Sequence, residues 1–296
     1  MRLASVKPND LAVVREDGFV LVGDALAEKG LLPKGASMMD LISRYDLLKT
    51  TLEEAAKNGS AGELDGSKLH PPVQRPSKIW AAASNYRRGS AGLEDARGRG
   101  AARDSTPEEI LEMTFLKPPS AIIGPEGEIV IPEKADTIYP ELELSVVIGR
   151  TACNLPKERA LDAVFGYTII LDVTARGYGS GKGQVATRCV RKGFDSFAPI
   201  GPWITTRDEI PDPQNLWMRL WVNGQLVQSA QTDAMINSVV DLVSYLSCVS
   251  TLYPGDLIAT GNPDAPDFQQ QLQPGDILKA EIEGIGAMNL RVKGPE

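Results

Sequence analysis

Two carboxylates stand two positions apart in Pro140-Glu141-Leu142-Glu143-Leu144-Ser145-Val146-Val147-Ile148-Gly149, a stretch that is otherwise mostly apolar. Side chains alternate across a β-strand, so Glu141 and Glu143 point to the same face. Like charges side by side repel, and burying either one is costly without compensation. A hard divalent cation compensates both, because Mg²⁺, Mn²⁺ and Ca²⁺ all take carboxylate oxygens. For an isolated Glu-x-Glu pair the plainer reading is a solvated strand end. A second acid changes the balance. Tyr167 to Val173 is a β-branched, apolar strand interrupted only by Asp172. Taken alone, Asp172 suits a turn, since Thr174-Ala175-Arg176-Gly177 follows. After a buried Glu-x-Glu strand, it suits the third ligand of a Mg²⁺ or Mn²⁺ site completed by water and substrate. No softer metal fits, because the chain has one histidine and its three cysteines, Cys153, Cys189 and Cys248, lack ligand spacing.

The elements that must position these acids are mainly strands. Residues 1 to about 73 alternate short strands with turns, as in Leu11 to Val14 and Phe19 to Val22 around Asp17-Gly18. A helical stretch follows from about Met38 to Lys57, and Pro71-Pro72-Val73-Gln74-Arg75-Pro76 reads as a linker. The expected division is therefore a small N-terminal α/β module, 1–73, and a larger domain, 74–296. In the larger part, Pro156 to Phe165 reads as a short amphipathic helix opened by its proline and closed by Gly166. Trp217 to Val222 and Gln225 to Val227 flank Asn223-Gly224, a hairpin turn. Pro-Gly-Asp turns at Pro254 and Pro274 precede strands at Leu257 to Thr260 and Ile277 to Ile282, and an amphipathic helix is expected over Asp233 to Leu246. The fold class is a β-rich α+β architecture.

At 296 residues, with 42% hydrophobic and 24% charged residues, the chain can bury a large core. No apolar run is long enough to span a membrane, and the N-terminus lacks the form of a secretion signal. Scattered cysteines fit a reducing, cytoplasmic setting. A net charge of −8 disfavours nucleic acid as a partner. It leaves a small anionic substrate open, since a bound cation and nearby lysines would set the local field.

Several stretches together resemble the fumarylacetoacetate hydrolase family, from about Pro76 to Val292. They are Ser84-Asn85-Tyr86-Arg87, Phe115-Leu116-Lys117-Pro118-Pro119-Ser120 and Glu141-Leu142-Glu143, followed by Gly166-Tyr167-Thr168 and Asp172-Val173-Thr174-Ala175-Arg176. Lys192-Gly193-Phe194-Asp195, Val222-Asn223-Gly224, Pro254-Gly255-Asp256, Thr260-Gly261 and Glu281-Ile282-Glu283-Gly284-Ile285-Gly286 continue the same order. The resemblance implies a mixed β-roll and a homodimer. It places Glu141, Glu143 and Asp172 on the family's metal ligands and Lys192 on its active-site lysine, with Tyr86 in the substrate-binding part of the site. Alone, Lys192 reads as surface charge. Beside a metal it becomes a clamp for a carboxylate or oxyanion, or a base if its pKa falls. Arg176 can bind a substrate carboxylate or brace a metal ligand. The Thr260 hydroxyl and nearby amides can hold an anionic group, or form an ordinary turn.

The chain also departs from the family. Hydrolytic members place a histidine and a glutamate after the Asn-Tyr pair to activate water; here Gly89 and Gly92 stand in those positions. A long segment from Arg87 to Met113 would form a lid. Its acids, Glu94, Asp95, Glu108, Glu109 and Glu112, are candidates for the missing base, with Glu109 and Glu112 preferred, although Pro107 to Met113 also reads as a plain amphipathic helix. The Gly177–Gly183 stretch is glycine-rich but lacks the phosphate-loop pattern, and reads as a surface loop. The expected function is a divalent-metal-dependent hydrolase that cleaves a C–C bond in an acylpyruvate-like 2-oxo or 2,4-dioxo acid through a metal-stabilised enolate. The alternative is a decarboxylase, tautomerase or hydratase on the same site. A cation-binding scaffold without turnover is a third reading, which Lys192 counts against.

Overall fold

The computed structural model describes residues 1–6, 10–63, 65–87, 105–133, 135, 137–176, 187–263 and 271–295. The chain opens with β1 (Arg2–Val6), β2 (Asp10–Arg15) and β3 (Gly18–Leu21), then α1 (Gly23–Glu28), α2 (Met38–Ser43) and α3 (Tyr45–Asn58). Next come β4 (Ile79–Ala81), α4 (Pro107–Glu112), β5 (Phe115–Lys117), β6 (Ile122–Ile123), β7 (Glu128–Val130) and β8 (Thr137–Tyr139). The site-bearing centre comprises β9 (Leu142–Ile148), β10 (Val164–Leu171), β11 (Thr174–Arg176), α5 (Arg188–Arg191) and β12 (Ala198–Thr206). The chain ends with β13 (Trp217–Val222), β14 (Gln225–Gln231), α6 (Val239–Val249), β15 (Leu257–Ala259), β16 (Ile277–Ile282) and β17 (Gly286–Lys293).

A large sheet runs β3-β2-β1-β12-β10-β9-β15-β4-β5, with β6 beside β12; a second runs β14-β13-β16-β17-β7, and β8 pairs with β11. Most pairings are antiparallel, but β15–β4, β12–β6 and β17–β7 are parallel. This mixed, β-rich α+β roll is the expected fold class. Every residue of β9 and β10 is buried, which is why both strands read as near-continuous apolar runs rather than alternating ones. Their side chains join one core with residues of both sheets and of α6, among them Leu144, Ile169, Leu220, Leu242 and Leu290. β1 hydrogen-bonds to β12, with Arg2 opposite Thr205, so the first three strands continue the large sheet.

Local chemistry explains where elements begin. Asn223 and Gly224 both adopt positive φ, as the two-residue hairpin between β13 and β14 requires. The helix expected over Asp233 to Leu246 instead spans Val239–Val249, because Ser238 and Asp241 form a capping box that sets its start. The stretch expected as one helix from Met38 is two, α2 and α3, separated at Arg44, which has non-helical torsions. The turn after Pro156 is a 3₁₀ helix, Lys157–Ala163, and β10 already begins at Val164. Gly166 therefore does not close a helix; it sits inside β10. A Cβ there would lie 2.2 Å from the Thr205 carbonyl oxygen of β12, so only glycine lets the two backbones approach. Among the described residues, no helix is long and apolar enough to cross a membrane.

Replacing Gly166 with alanine should force β10 away from β12 and lower the unfolding free energy by about 3 kcal/mol, as overpacked core sites do. Urea denaturation measures this. A loss within error of zero would mean that the strand pair accommodates the methyl group.

Candidate active site

The antiparallel register of β9 and β10 assembles the site. Leu142 pairs with Leu171 and Glu143 with Ile170, so Glu141 comes opposite Asp172, whose amide donates to the Glu141 carbonyl at 2.8 Å. Glu141, Glu143 and Asp172 thus share one face at the end of the strand pair. All three are buried, and each has a carboxylate oxygen within 4.8 Å of the others. The acids that sequence alone placed on two separate strands therefore converge.

Two buried lysines face them. Lys192 Nζ lies 2.6 Å from Glu141 Oε2 and 2.5 Å from Asp172 Oδ2. Lys117 Nζ lies 2.6 Å from Asp172 Oδ1 and donates at 2.5 Å to the Lys192 backbone carbonyl. Thr174 Oγ1 donates to Glu141 Oε1 at 3.1 Å, and the Gly261 amide donates to Glu143 Oε2 at 2.7 Å. Gly261 has φ of +91°, and a Cβ there would stand 2.9 Å from that of Asn85, so this approach to Glu143 calls for glycine.

Burial and charge compete at each group. Burial pushes the Glu143 carboxyl well above its usual range, reinforced by Asp172 and opposed chiefly by Lys192. Asp172 is also pushed upward by burial, but Lys117 and Lys192 together bring it below an ordinary aspartate. Burial lowers Lys117 despite Asp172. Burial would lower Lys192 too, yet Asp172, Glu141 and Glu143 overcome it and hold the ammonium above an ordinary lysine. Paired with Glu141 and Asp172, Lys192 sits among acids that favour its ammonium form.

The donor set fits a divalent cation. It consists of carboxylate oxygens alone, the preference of Mg²⁺, Mn²⁺ and Ca²⁺, and the Lys192 ammonium already stands between two of them as a positive charge. Two lysines offset two of three acids, which leaves one negative charge in a buried place.

The other expected site residues are distributed around this centre. Tyr86 is buried, its hydroxyl 3.7 Å from Met218 Sδ, and burial followed by the Glu143 charge raises its pKa well above the ordinary phenol. Thr260 is fully buried, but its hydroxyl donates to the Leu144 carbonyl at 2.9 Å and so fastens the backbone of β9. Arg176 is exposed at the end of β11, its guanidinium carbon 5.2 Å from the centre of the Tyr139 ring. Glu109 and Glu112 are exposed on α4, and Glu109 accepts from the Thr106 amide at 2.8 Å in a capping box. Glu94, Asp95, Gly89, Gly92 and the Gly177–Gly183 stretch lie outside the described residues.

Sequence reasoning missed three residues. Lys117 was quoted only as part of a motif, although its alternation with Phe115 in β5 puts both on the buried side. Asn85 donates to the Asn237 and Thr260 carbonyls at 2.9 Å each and accepts from the Asn237 amide, so it ties together two segments beside Glu143. Asn237 in turn donates to the Pro107 carbonyl at 3.0 Å, which anchors the start of α4. No sequence pattern announced the Asn85–Asn237 link, because its partners are 152 residues apart.

Comparison with known proteins gives the same picture over the whole chain. The family profile described as fumarylacetoacetate (FAA) hydrolase C-terminal matches residues 78–293. The chain is 35% identical to the maleylpyruvate hydrolase of Aquipseudomonas alcaligenes over 99% of each sequence. It is 34% identical to the 2,4-didehydro-3-deoxy-L-rhamnonate hydrolase of a Sphingomonas species over 93% of this chain and 95% of that one. The crystal structure of maleylpyruvate hydrolase from Sphingobium sp. SYK-6 in complex with manganese(II) and pyruvate superposes with a TM-score of 0.81. It is 32% identical and covers 100% of both chains.

Lys117→Met should leave Asp172 buried with one ammonium instead of two. In metal-free protein the expected loss is about 3 kcal/mol of unfolding free energy, as when one partner of a buried ion pair is removed. Mn²⁺ should recover part of it by supplying the missing charge. Denaturant titrations with and without Mn²⁺ check both; an unchanged midpoint would mean that Lys117 does not support Asp172.

Proposed function

Because this chain belongs to the fumarylacetoacetate hydrolase family, we propose that Glu141, Glu143 and Asp172 hold its divalent cation and that Lys192, Tyr86 and Arg176 act on substrate around it. The protein is a metal-dependent hydrolase that cleaves a carbon–carbon bond in a small, acylpyruvate-like 2-oxo acid. The observation that carries the residue assignment is the convergence of three buried carboxylates, within 4.8 Å of one another, two of them paired with a buried lysine ammonium.

A divalent cation in this position supplies Lewis-acid polarisation of the substrate's 2-oxo acid end. Cleavage requires water to add to the distant carbonyl, after which the bond to the intervening carbon breaks and its electron pair moves toward the 2-oxo oxygen. Lys192 supplies a fixed positive charge for the developing oxyanion, and its low-dielectric surroundings strengthen that attraction. Lys117 keeps the Lys192 segment in place through its carbonyl. The Tyr86 hydroxyl, held protonated by burial and by Glu143, keeps a proton to donate in a hydrogen bond at neutral pH. Thr260 contributes position more than contact, since its hydroxyl is engaged with Leu144. Of the two α4 acids, Glu112 is not engaged in the helix cap and is the better candidate for activating water. A Glu109 substitution should act first on the start of the helix.

Two wider expectations belong to the same reading. A homodimer is supported by Trp217, Leu226 and Ile277, which are exposed on one face of the smaller sheet. A reducing, cytoplasmic setting is supported by Cys153, Cys189 and Cys248, all free and exposed.

With Mg²⁺ or Mn²⁺ the protein should convert an acylpyruvate to pyruvate and a carboxylic acid, and chelation should abolish this. Asp172→Asn and Lys192→Met should each lower kcat/KM by about 10²-fold or more, the scale seen when a charge-stabilising group is removed. Equal turnover with and without chelator would sink the assignment. Oxaloacetate decarboxylation without acylpyruvate hydrolysis would point to the lyase alternative. Light scattering should give twice the chain mass; a monomer at micromolar concentration would remove the dimer.

A further inference from the structure

At the end of β9 opposite the acids, the departing loop runs antiparallel along one side of α6. A ladder of contacts sets their register. Lys157 Nζ lies 2.6 Å from Asp241 Oδ1, and the Leu155 carbonyl accepts from Ser244 Oγ at 2.8 Å. The Leu155 amide donates to Ser247 Oγ at 2.8 Å, and the Asn154 amide donates to the Ser247 carbonyl at 3.0 Å. Just past the helix, Ala152 and Leu252 exchange both backbone hydrogen bonds.

Two of the chain's three cysteines fall within this ladder. Cys153 directly precedes Asn154 and Cys248 directly follows Ser247, so each is one residue from a member of the same hydrogen bond. In an antiparallel pairing, one step back on one segment and one step forward on the other reach facing positions. Cys153 therefore faces the stretch between Ser247 and Leu252. Within that stretch, Cys248 lies on the helical stripe of Ser244, four residues earlier, which already touches the loop. Both cysteines are exposed and free, and Asn154 Nδ2 donates to Cys153 Sγ at 3.5 Å. Backbones tied by hydrogen bonds on either side come within the short span that a disulfide bridges. Cys189 stands apart from them on α5, which packs against β5 and β11.

We propose that Cys153 and Cys248 form a reversible disulfide when a small disulfide such as oxidised glutathione is in excess. One protein thiolate attacks the small disulfide, displaces a thiolate and leaves a mixed disulfide on the protein. The second protein thiolate then attacks the protein sulfur of that bond and releases the other small thiolate. Two protein thiols are oxidised, one small disulfide is reduced to two thiols, and the two protons pass to the released thiolates. The new bond fastens the end of α6 to the loop leaving β9. The chain after Cys248 becomes β15, which pairs with β9 and leads to the Gly261 amide that reaches Glu143. The cross-link thus braces the strand pair behind the acids, and it stays open where small thiols dominate.

The test incubates the full chain with oxidised glutathione and reads intact mass, free thiols and linked peptides. The unaltered protein should become two hydrogens lighter, keep one of its three thiols and yield a peptide pair joining Cys153 to Cys248. Cys189→Ser should still form the bond, whereas Cys153→Ser and Cys248→Ser should each stop at a glutathione adduct. Closing so long a loop should raise the denaturation temperature by about 5 °C, and excess reduced glutathione should reverse both changes. A lasting glutathione adduct on the unaltered protein, a bond to Cys189, or a cross-link between two chains would overturn the pairing. A bond that excess reduced glutathione fails to open would overturn its reversibility, and an unchanged denaturation temperature would overturn the bracing. Should a serine variant fail to fold, the linked peptides of the unaltered protein decide the pairing by themselves.

Discussion

Three buried carboxylates clustered beside two buried ammonium groups, with Lys192 paired to Glu141 and Asp172 and Lys117 to Asp172, are the constraint around which this protein is built. Each acid alone would protonate or draw in water, and each lysine alone would lose its proton or its place. Together they leave a single uncompensated negative charge, which a hard cation meets. The strand pair β9–β10 makes this arrangement possible, because its register sets Glu141 across from Asp172 with Glu143 on the same face. A slip of one residue in that register would turn the acids into the core.

The surrounding structure serves that register. Gly166 lets β12 approach β10 closely, and Gly261 lets a backbone amide reach Glu143. Lys117 joins Asp172 to the segment that carries Lys192, so the acid and that lysine are held in one frame. Asn85 connects the Thr260 and Asn237 segments, and Asn237 holds the start of α4. These links concentrate polar residues where the sheets would otherwise be wholly apolar. Such networks rigidify a site only when every member is satisfied, and here the acids and lysines all have partners.

Function follows from the sign of charge on either side of this centre. The clustered acids suit a cation, and the two lysines beside them suit an anion. A 2-oxo acid matches both, with oxygens for a cation and a negative charge for the lysines. The same polarity explains how an acidic chain can act on an acidic substrate, since the local field and not the net charge governs approach.

The strands, the hairpin at Asn223-Gly224 and the three acids were legible from spacing and side-chain type, because strand alternation and turn chemistry are local. Helix limits were less so: the Ser238–Asp241 capping box and the break at Arg44 moved boundaries that hydrophobic pattern alone could not locate. By itself the sequence determined that Glu141 and Glu143 share a face and that the chain carries an oxygen-rich cation site. Only the tertiary structure decided that Lys117 stands beside those acids, that Lys192 pairs with both Glu141 and Asp172, and that Glu109 caps its own helix. The reason is physical. Periodicity reports which way a side chain points from its own backbone, whereas charge state and partnership depend on groups brought together from distant parts of the chain, such as Lys117 and Asp172, 55 residues apart.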